Sequence, residues 1–231
     1  MKTTIQIARR GFTLVELLVV IVIIAALAGL TAPMVIRQRK KADQTEAVNN
    51  ARQIGLAMFE FDQNFGSFPG GNTLSPFNAD GDFEGHGYTL NETTSNGLFL
   101  QLFAANLANS ESMFYAKAPG TKKPDNSINK TTTLDKKEVG FGYVLDGTNG
   151  LSTSANPAIP YVMTPLVEGE VDVFDIDAFD SKAVVLKIDG SVQSLNVNKD
   201  GEASMGGKPV FEKGVDTVWG SRTPTPVGPD Y

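Results

Sequence analysis

Residues 11–36 read GFTLVELLVVIVIIAALAGLTAPMVI, and this stretch decides the architecture. Between Leu17 and Leu30 there is no charged side chain. As a helix rising 1.5 Å per residue, Phe12 to Ile36 would span about 37 Å. That exceeds a hydrocarbon core of about 30 Å, so the segment can cross a bilayer with some tilt. It is longer than the roughly 7–15 apolar residues of a secretory signal and lacks a clean A-x-A cleavage site with a polar c-region. Before it stand MKTTIQIARRG, residues 1–11, short, basic and free of carboxylates.

One residue breaks the apolar pattern. Glu16 places a carboxylate near the start of the run, where burial in hydrocarbon costs at least about 2.5 kcal/mol. Two readings of it stand side by side. Thr13 and Glu16 have the T-x-x-E spacing of a capping box, which would satisfy early backbone N–H groups of the helix. Cleavage before Phe12 would instead create an ammonium one helical turn from Glu16, with which a neighbouring copy could pair.

The run Gly11-Phe12-Thr13-Leu14-Val15-Glu16 followed by the apolar stretch resembles the prepilin signature shared by type IV pilins and type II secretion pseudopilins. The resemblance implies cleavage between Gly11 and Phe12 by a prepilin peptidase, then N-methylation of Phe12. It implies that Glu16, fifth in the processed chain, pairs with the N-terminal amine of an adjacent subunit during assembly. Gly29 and Pro33 add a weak point, since Pro33 cannot donate to the Gly29 carbonyl and crowds it. A kink or a melted turn over 29–33 is expected. In the family this is where a pilin helix bends or unwinds, and a simple transmembrane kink is the alternative. The pairs Ala25/Gly29 and Ala28/Ala32 have the small-xxx-small spacing that lets helices approach closely, a pattern also common in membrane helices generally.

Past the apolar run, Ala47, Ala51, Ile54, Met58, Phe61 and Phe65 step by three and four residues. That spacing predicts a continuing amphipathic helix whose stripe packs on the protein's own globular part. Gly66 and Pro69 end it. The segment FEFDQNFGSFPG, residues 59–70, resembles the helix end of pseudopilin-like proteins and extends the likeness to about residue 70.

The remainder reads as short elements between loops. Residues 67–97 predict a long loop, 98–105 a short helix, and a second short helix starts near Asn109 with Met113 and Phe114 buried. The Lys- and Thr-rich 117–138 reads as an exposed excursion. Strands are expected at 139–145, 161–166 and 171–174. The clearest is the hairpin AVVLKI-DG-SVQSLNV, residues 183–197, where Asp189-Gly190 predicts a two-residue turn. Pro224, Pro226 and Pro229 predict a loose tail, and Trp219 a pin into the core.

The fold class is therefore α+β, with a long N-terminal helix on a C-terminal antiparallel sheet, pilin-like. The expected organisation is a leader at 1–11, an assembly half-helix at 12–36, an amphipathic half-helix at 37–66, a globular domain at 67–220 and a tail at 221–231.

Composition narrows the chemistry. At 231 residues, 41% hydrophobic and 20% charged, the chain is long and apolar enough for one folded domain plus an anchor. The net charge is −6, yet Lys2, Arg9, Arg10, Arg37, Arg39, Lys40 and Lys41 are concentrated at the N-terminus. The acidic remainder carries no basic stripe interleaved with aromatics, which speaks against nucleic acid as a partner. Basic residues flank the apolar run on both sides, so the positive-inside rule does not set its orientation. The acidic, Asn- and Gly-rich remainder reads as the exported side. With no cysteine there is no disulfide, thiol nucleophile or thiolate metal site. One histidine, His86, excludes a multi-histidine zinc site.

Three acidic clusters have oxygen-ligand character. Asn78, Asp80, Asp82 and Glu84 alternate as calcium loops do. Asn196, Asn198 and Asp200 resemble half an EF-hand loop, but the twelfth position is Gly207 in place of glutamate. Asp172, Asp175, Asp177 and Asp180 form the third. Asp80, Asp82 and Glu84 are the weak metal candidates, and calcium the only cofactor considered. No G-x-S-x-G, H-E-x-x-H or G-x-x-x-x-G-K-[ST] occurs, and no catalytic residue is assigned. Asn91-Glu92-Thr93 and Asn129-Lys130-Thr131 match glycosylation sequons.

The expected function is a non-enzymatic structural subunit of a pilus-like filament, assembled from the inner membrane on an assembly platform. Its partners would be copies of itself and other pilin-like subunits. The FGSFP helix end and the absence of a C-terminal disulfide loop favour a type II secretion pseudopilin. A type IV pilin of a surface fibre is the alternative within that class. A monomeric membrane-tethered binding or enzymatic domain is the alternative outside it.

Overall fold

The computed structural model describes residues 12–75 and 87–231. The leader with Gly11, and the stretch carrying Asp80, Asp82, Glu84 and His86, lie outside the described residues.

One helix, α1, runs from Leu14 to Phe65. The chain divides into two compact units between Arg39 and Lys40. In the first, every described residue from Phe12 to Arg39 is exposed. An apolar helix surface of that length needs a cover other than water, whether lipid or other helices. The stretch is long and apolar enough to cross a membrane. The melted turn expected around Pro33 is absent, since helix continues unbroken through Gly29–Pro33. Thr31 donates its hydroxyl to the Leu27 carbonyl at 3.0 Å within this stretch.

In the second unit, α1 presents the expected stripe. Ala47, Ala51, Ile54, Met58 and Phe61 are buried, and Phe65 is half-buried. Burying each of the larger side chains contributes about 1.5–3 kcal/mol. Gly55 faces the sheet so closely that a Cβ there would sit 3.1 Å from the Leu186 side chain. Asn50 is the polar member of this face, and its amide donates to the Ser112 and Tyr115 carbonyls at 3.0 and 2.9 Å. The helix stops at Gly66, whose φ of +78° permits the left-handed cap and whose N–H reaches the Asp62 carbonyl at 2.7 Å.

The chain then crosses its own backbone. Cβ atoms on Gly70 and Gly150 would lie 2.0 Å from Gly150 N and 1.9 Å from the Phe68 carbonyl, so only glycine fits either position. Phe68 stacks on Tyr161 at 4.6 Å, and the Tyr143 hydroxyl donates to the Pro69 carbonyl at 2.9 Å. The FGSFP segment is thereby sewn to the sheet.

A short helix, α2, spans Ser95–Ala104, capped by Thr94, and a 3₁₀ turn at Glu111–Phe114 buries Met113 and Phe114 as expected. The sheet holds β1 Gly142–Asp146, β2 Pro160–Thr164, β3 Lys182–Lys187 and β4 Val192–Asn196. A small ribbon follows, β5 Ser204–Met205 with β6 Lys208–Pro209, then β7 Pro224–Val227. The main sheet is antiparallel throughout in the order β4-β3-β2-β1-β7. Every residue of β2 is buried, so both faces of the sheet centre are covered.

Three further expectations need correction. The tail is not loose: β7 pairs with β1, Tyr143 opposite Val227 and Leu145 opposite Thr225. Strand alternation turns Thr225 and Val227 toward β1, and sends the donor-less nitrogens of Pro224 and Pro226 to the open edge, where proline is tolerated. Residues 171–174 form only a bridge, Leu166 with Phe174. The β3–β4 turn has three residues. Ile188 and Asp189 have negative φ, Gly190 alone is positive at +77°, and Gly190 N–H bonds the Lys187 carbonyl at 2.9 Å. This is a type I turn followed by a glycine bulge, chosen because the Ile188 N–H bonds the Ile159 carbonyl and its side chain enters the core.

The excursion at 117–138 is exposed over most of its length, as expected, but it is pinned at points. Thr133, Leu134 and Glu138 return to the interior. Leu134 has φ +53°, a strained conformation for a bulky residue. Buried Glu111 holds it, accepting the Leu134 N–H at 2.7 Å, and Asn96 donates to the Leu134 carbonyl at 2.8 Å. Trp219 is buried as expected and donates its indole N–H to the Val210 carbonyl at 2.7 Å.

Candidate assembly site at the head of the helix

The head of α1 is built by Thr13 and Glu16. The Thr13 hydroxyl accepts the Glu16 N–H at 3.2 Å. In return, the Glu16 carboxylate accepts both the Thr13 N–H and the Thr13 hydroxyl at 2.8 Å each. This is the reciprocal capping box that the T-x-x-E spacing predicts, and it satisfies donors that the first turn leaves orphaned. A carboxylate here also faces the positive end of the helix dipole. Phe12, immediately before it, is 75% exposed. Chemically, the arrangement is one anion held at the tip of an otherwise apolar rod.

The remaining sequence candidates are engaged elsewhere. Asn198 accepts the N–H groups of Asp200 and Glu202 at 2.9 Å each, so this half-EF-hand is a self-closed turn. Asp175 accepts the N–H groups of Asp177 and Ala178. Among the described residues no group of three histidine or acidic side chains converges on a point where a metal would sit. Asn91 spends its carbonyl oxygen on the N–H groups of Thr93 and Thr94, ahead of α2, and Asn129 on those of Thr131 and Thr132.

Sequence reading missed the buried acids. Glu111 is fully buried with one carboxylate oxygen unpartnered, and Asp62 is buried with its other oxygen on the Thr153 hydroxyl at 2.5 Å. Burial pushes the Glu111 carboxyl above the usual glutamate range, the Leu134 N–H partly counteracts it, and Glu138 and Asp125 add repulsion. Nothing in the local sequence around Glu111 distinguishes it from a surface acid, because its burial is imposed by a segment more than twenty residues away.

A family model of the prokaryotic N-terminal methylation motif matches residues 7–32. The chain is 28% identical over 120 residues to a fimbrial protein of Neisseria meningitidis serogroup A, covering 52% of this chain and 70% of that one. It is 38% identical over 88 residues to type II secretion system core protein G of Escherichia coli, covering 34% of this chain and 61% of that one. The Aeromonas hydrophila core protein G is 45% identical over 56 residues, 23% of this chain and 39% of its own. The alignments thus reach less than two thirds of either core protein G. No solved structure matches. Motif, long helix and antiparallel sheet together make the chain pilin-like. Its relatives bear the names of a fimbrial protein on one side and of a type II secretion system core protein on the other.

Proposed function

We propose that this chain is a structural subunit of a pilus-like filament, stored in the inner membrane by residues 12–36 with its globular part in the periplasm or outside the cell. Prepilin peptidase hydrolyses the Gly11–Phe12 amide, and the Phe12 amine so freed is methylated. The observation that carries this reading is the single carboxylate, Glu16, held one turn from Phe12 on the apolar, exposed stretch of α1 that runs to Ile36. While the subunit is stored, the Thr13 donors offset part of the cost of that charge. During assembly Glu16 turns to the Phe12 ammonium of the next subunit, an interaction that gains strength as water is excluded. Pro33 leaves the Gly29 carbonyl without its helical donor, so residues 29–33 are the turn that opens most cheaply when the helices pack.

Within the class we favour a type II secretion pseudopilin supporting protein export, on the 38–45% identity with core protein G and the FGSFP helix end. The longer alignment with the fimbrial protein keeps a surface pilin as the second reading. The deciding experiment is the intact mass and N-terminal sequence of the protein from its native membrane. A chain that starts at N-methylated Phe12 is expected. A chain still starting at Met1 would sink the filament reading and leave a membrane-tethered domain of some other activity.

A further inference from the structure

The outward face of α1 in the second unit carries Arg52, Leu56 and Phe59 at i, i+4 and i+7. Leu56 is 74% exposed and Phe59 55%. These side chains form one wall of an open groove of about 380 Å³, with the β3–β4 turn at Ile188 and Asp189 opposite. Asp189 lies 3.6 Å from the Lys187 ammonium. Arg52 has no acidic partner among the described residues, only a long 3.4 Å bond to Asn49. The groove thus offers the apolar side chains of Leu56 and Phe59, with Thr153 and the Lys187-paired Asp189 also in its lining and the Arg52 cation, unpaired with any acid among the described residues, on its rim.

The same domain carries a shape that matches it. The segment 214–220 turns back on itself, closed by a bridge between Gly214 and Gly220. Val215 at its tip is 90% exposed, more than any other large apolar residue among those described. The turn is braced: the Thr217 hydroxyl donates to the Gly214 carbonyl at 2.8 Å, and buried Trp219 anchors its far side. Asp216, next to the tip, has no hydrogen bond or ion pair among the described residues. A firm turn thus holds an apolar knob and an unpaired anion in water.

We propose that the Val215–Asp216 turn of one copy docks in the Arg52–Leu56–Phe59 groove of a second copy. Val215 packs on Leu56 and Phe59, and Asp216 meets Arg52. Complementarity of both kinds selects this occupant, an apolar tip for the Leu56–Phe59 surface and an anion for a cation. A knob on one surface and a groove on another make a heterologous contact, which repeats without closing and builds open helical assemblies. The proposal rests on the filament reading and adds to it a contact between globular domains.

The chain contains no cysteine, so introduced thiols report cleanly. Full-length Leu56→Cys and Val215→Cys chains are co-expressed in their native membrane, mildly oxidised, and the linked peptides identified by mass spectrometry. In such a mixture a 56–215 disulfide can form only between copies, and it is expected to dominate over 56–56 and 215–215 links. Arg52→Glu or Asp216→Arg alone is expected to lower its yield about tenfold, and the two together to restore it. Equal yields of all three links, links from residue 56 only to a different protein, or no rescue by the charge swap would overturn the contact. Sedimentable fibres of the unaltered chain are scored separately: fibres without a 56–215 link refute the docking contact and leave the filament reading standing.

Discussion

The Glu16 carboxylate and Thr13 hold each other through three hydrogen bonds, two into the carboxylate at 2.8 Å and one back from the Glu16 N–H at 3.2 Å. The residue whose charge would serve assembly is thus already at work as a helix cap. The two roles are separable because the cap needs only an acceptor oxygen, whereas pairing with an ammonium needs the negative charge.

Glu16→Gln keeps an acceptor for Thr13 and removes the charge. It is expected to leave helix content unchanged and cut filament yield at least about tenfold, as a lost charge-assisted contact does. Thr13→Ala should do the reverse, costing about 0.5–2 kcal/mol of helix stability while filaments still form. Circular dichroism and sedimentation of fibres check both. Normal filaments from Glu16→Gln would show the charge to be dispensable.

Asn50 ties the inner face of α1 to the 3₁₀ turn through the Ser112 and Tyr115 carbonyls. Asn50→Ala leaves the Tyr115 carbonyl without its donor, while the Ser112 carbonyl keeps the Tyr115 N–H at 3.3 Å, and a buried polar group left without its partner costs about 1–3 kcal/mol. The midpoint of urea unfolding should fall accordingly. Exposed Gln53→Ala, three residues on, should move stability by less than about 0.5 kcal/mol.

Glu111 predicts a pH dependence of definite sign. Its carboxyl is raised above the ordinary value of 4.5, so the folded state holds this proton more tightly than the unfolded chain. The penalty for ionising it is absent below 4.5, grows as pH rises, and is complete above its folded-state value. Relative to wild type, Glu111→Gln is expected to gain stability toward neutral pH and to match it in acid, because glutamine still accepts the Leu134 N–H. Urea titrations at several pH values read this directly. A wild-type curve that gains stability over the same window relative to Glu111→Gln would contradict the assignment.

Much of this was readable from the chain. The charge-free run and Glu16 marked the apolar helix and its head. The three-and-four spacing from Ala47 to Phe61 named the buried stripe, and Asp189-Gly190 located the hairpin. What escaped was decided by distant contacts. Prolines at 224 and 226 argue against a strand until β1 supplies an edge on which only Thr225 and Val227 need donate. The β3–β4 turn took a third residue because Ile188 gains more from the core than a tighter turn would offer. Glu111 looked like any surface acid because strained Leu134 lies far along the sequence. At the site, cap spacing was legible from Thr13 and Glu16 alone, since both partners lie within one turn.

The unburied surface from Phe12 to Arg39 also bears on where the work of assembly comes from. Lipid tails are as apolar as leucine, so moving such a helix from bilayer to bundle gains almost nothing from the hydrophobic effect. Passing it through water would be prohibitive, so leaving the lipid and joining the neighbour must be one continuous event. Close packing and a single pair of charges can choose the direction of that event and hold its product. In the filament reading, the helix contacts set where the subunit ends up, and the hydrophobic effect contributes little to lifting it there.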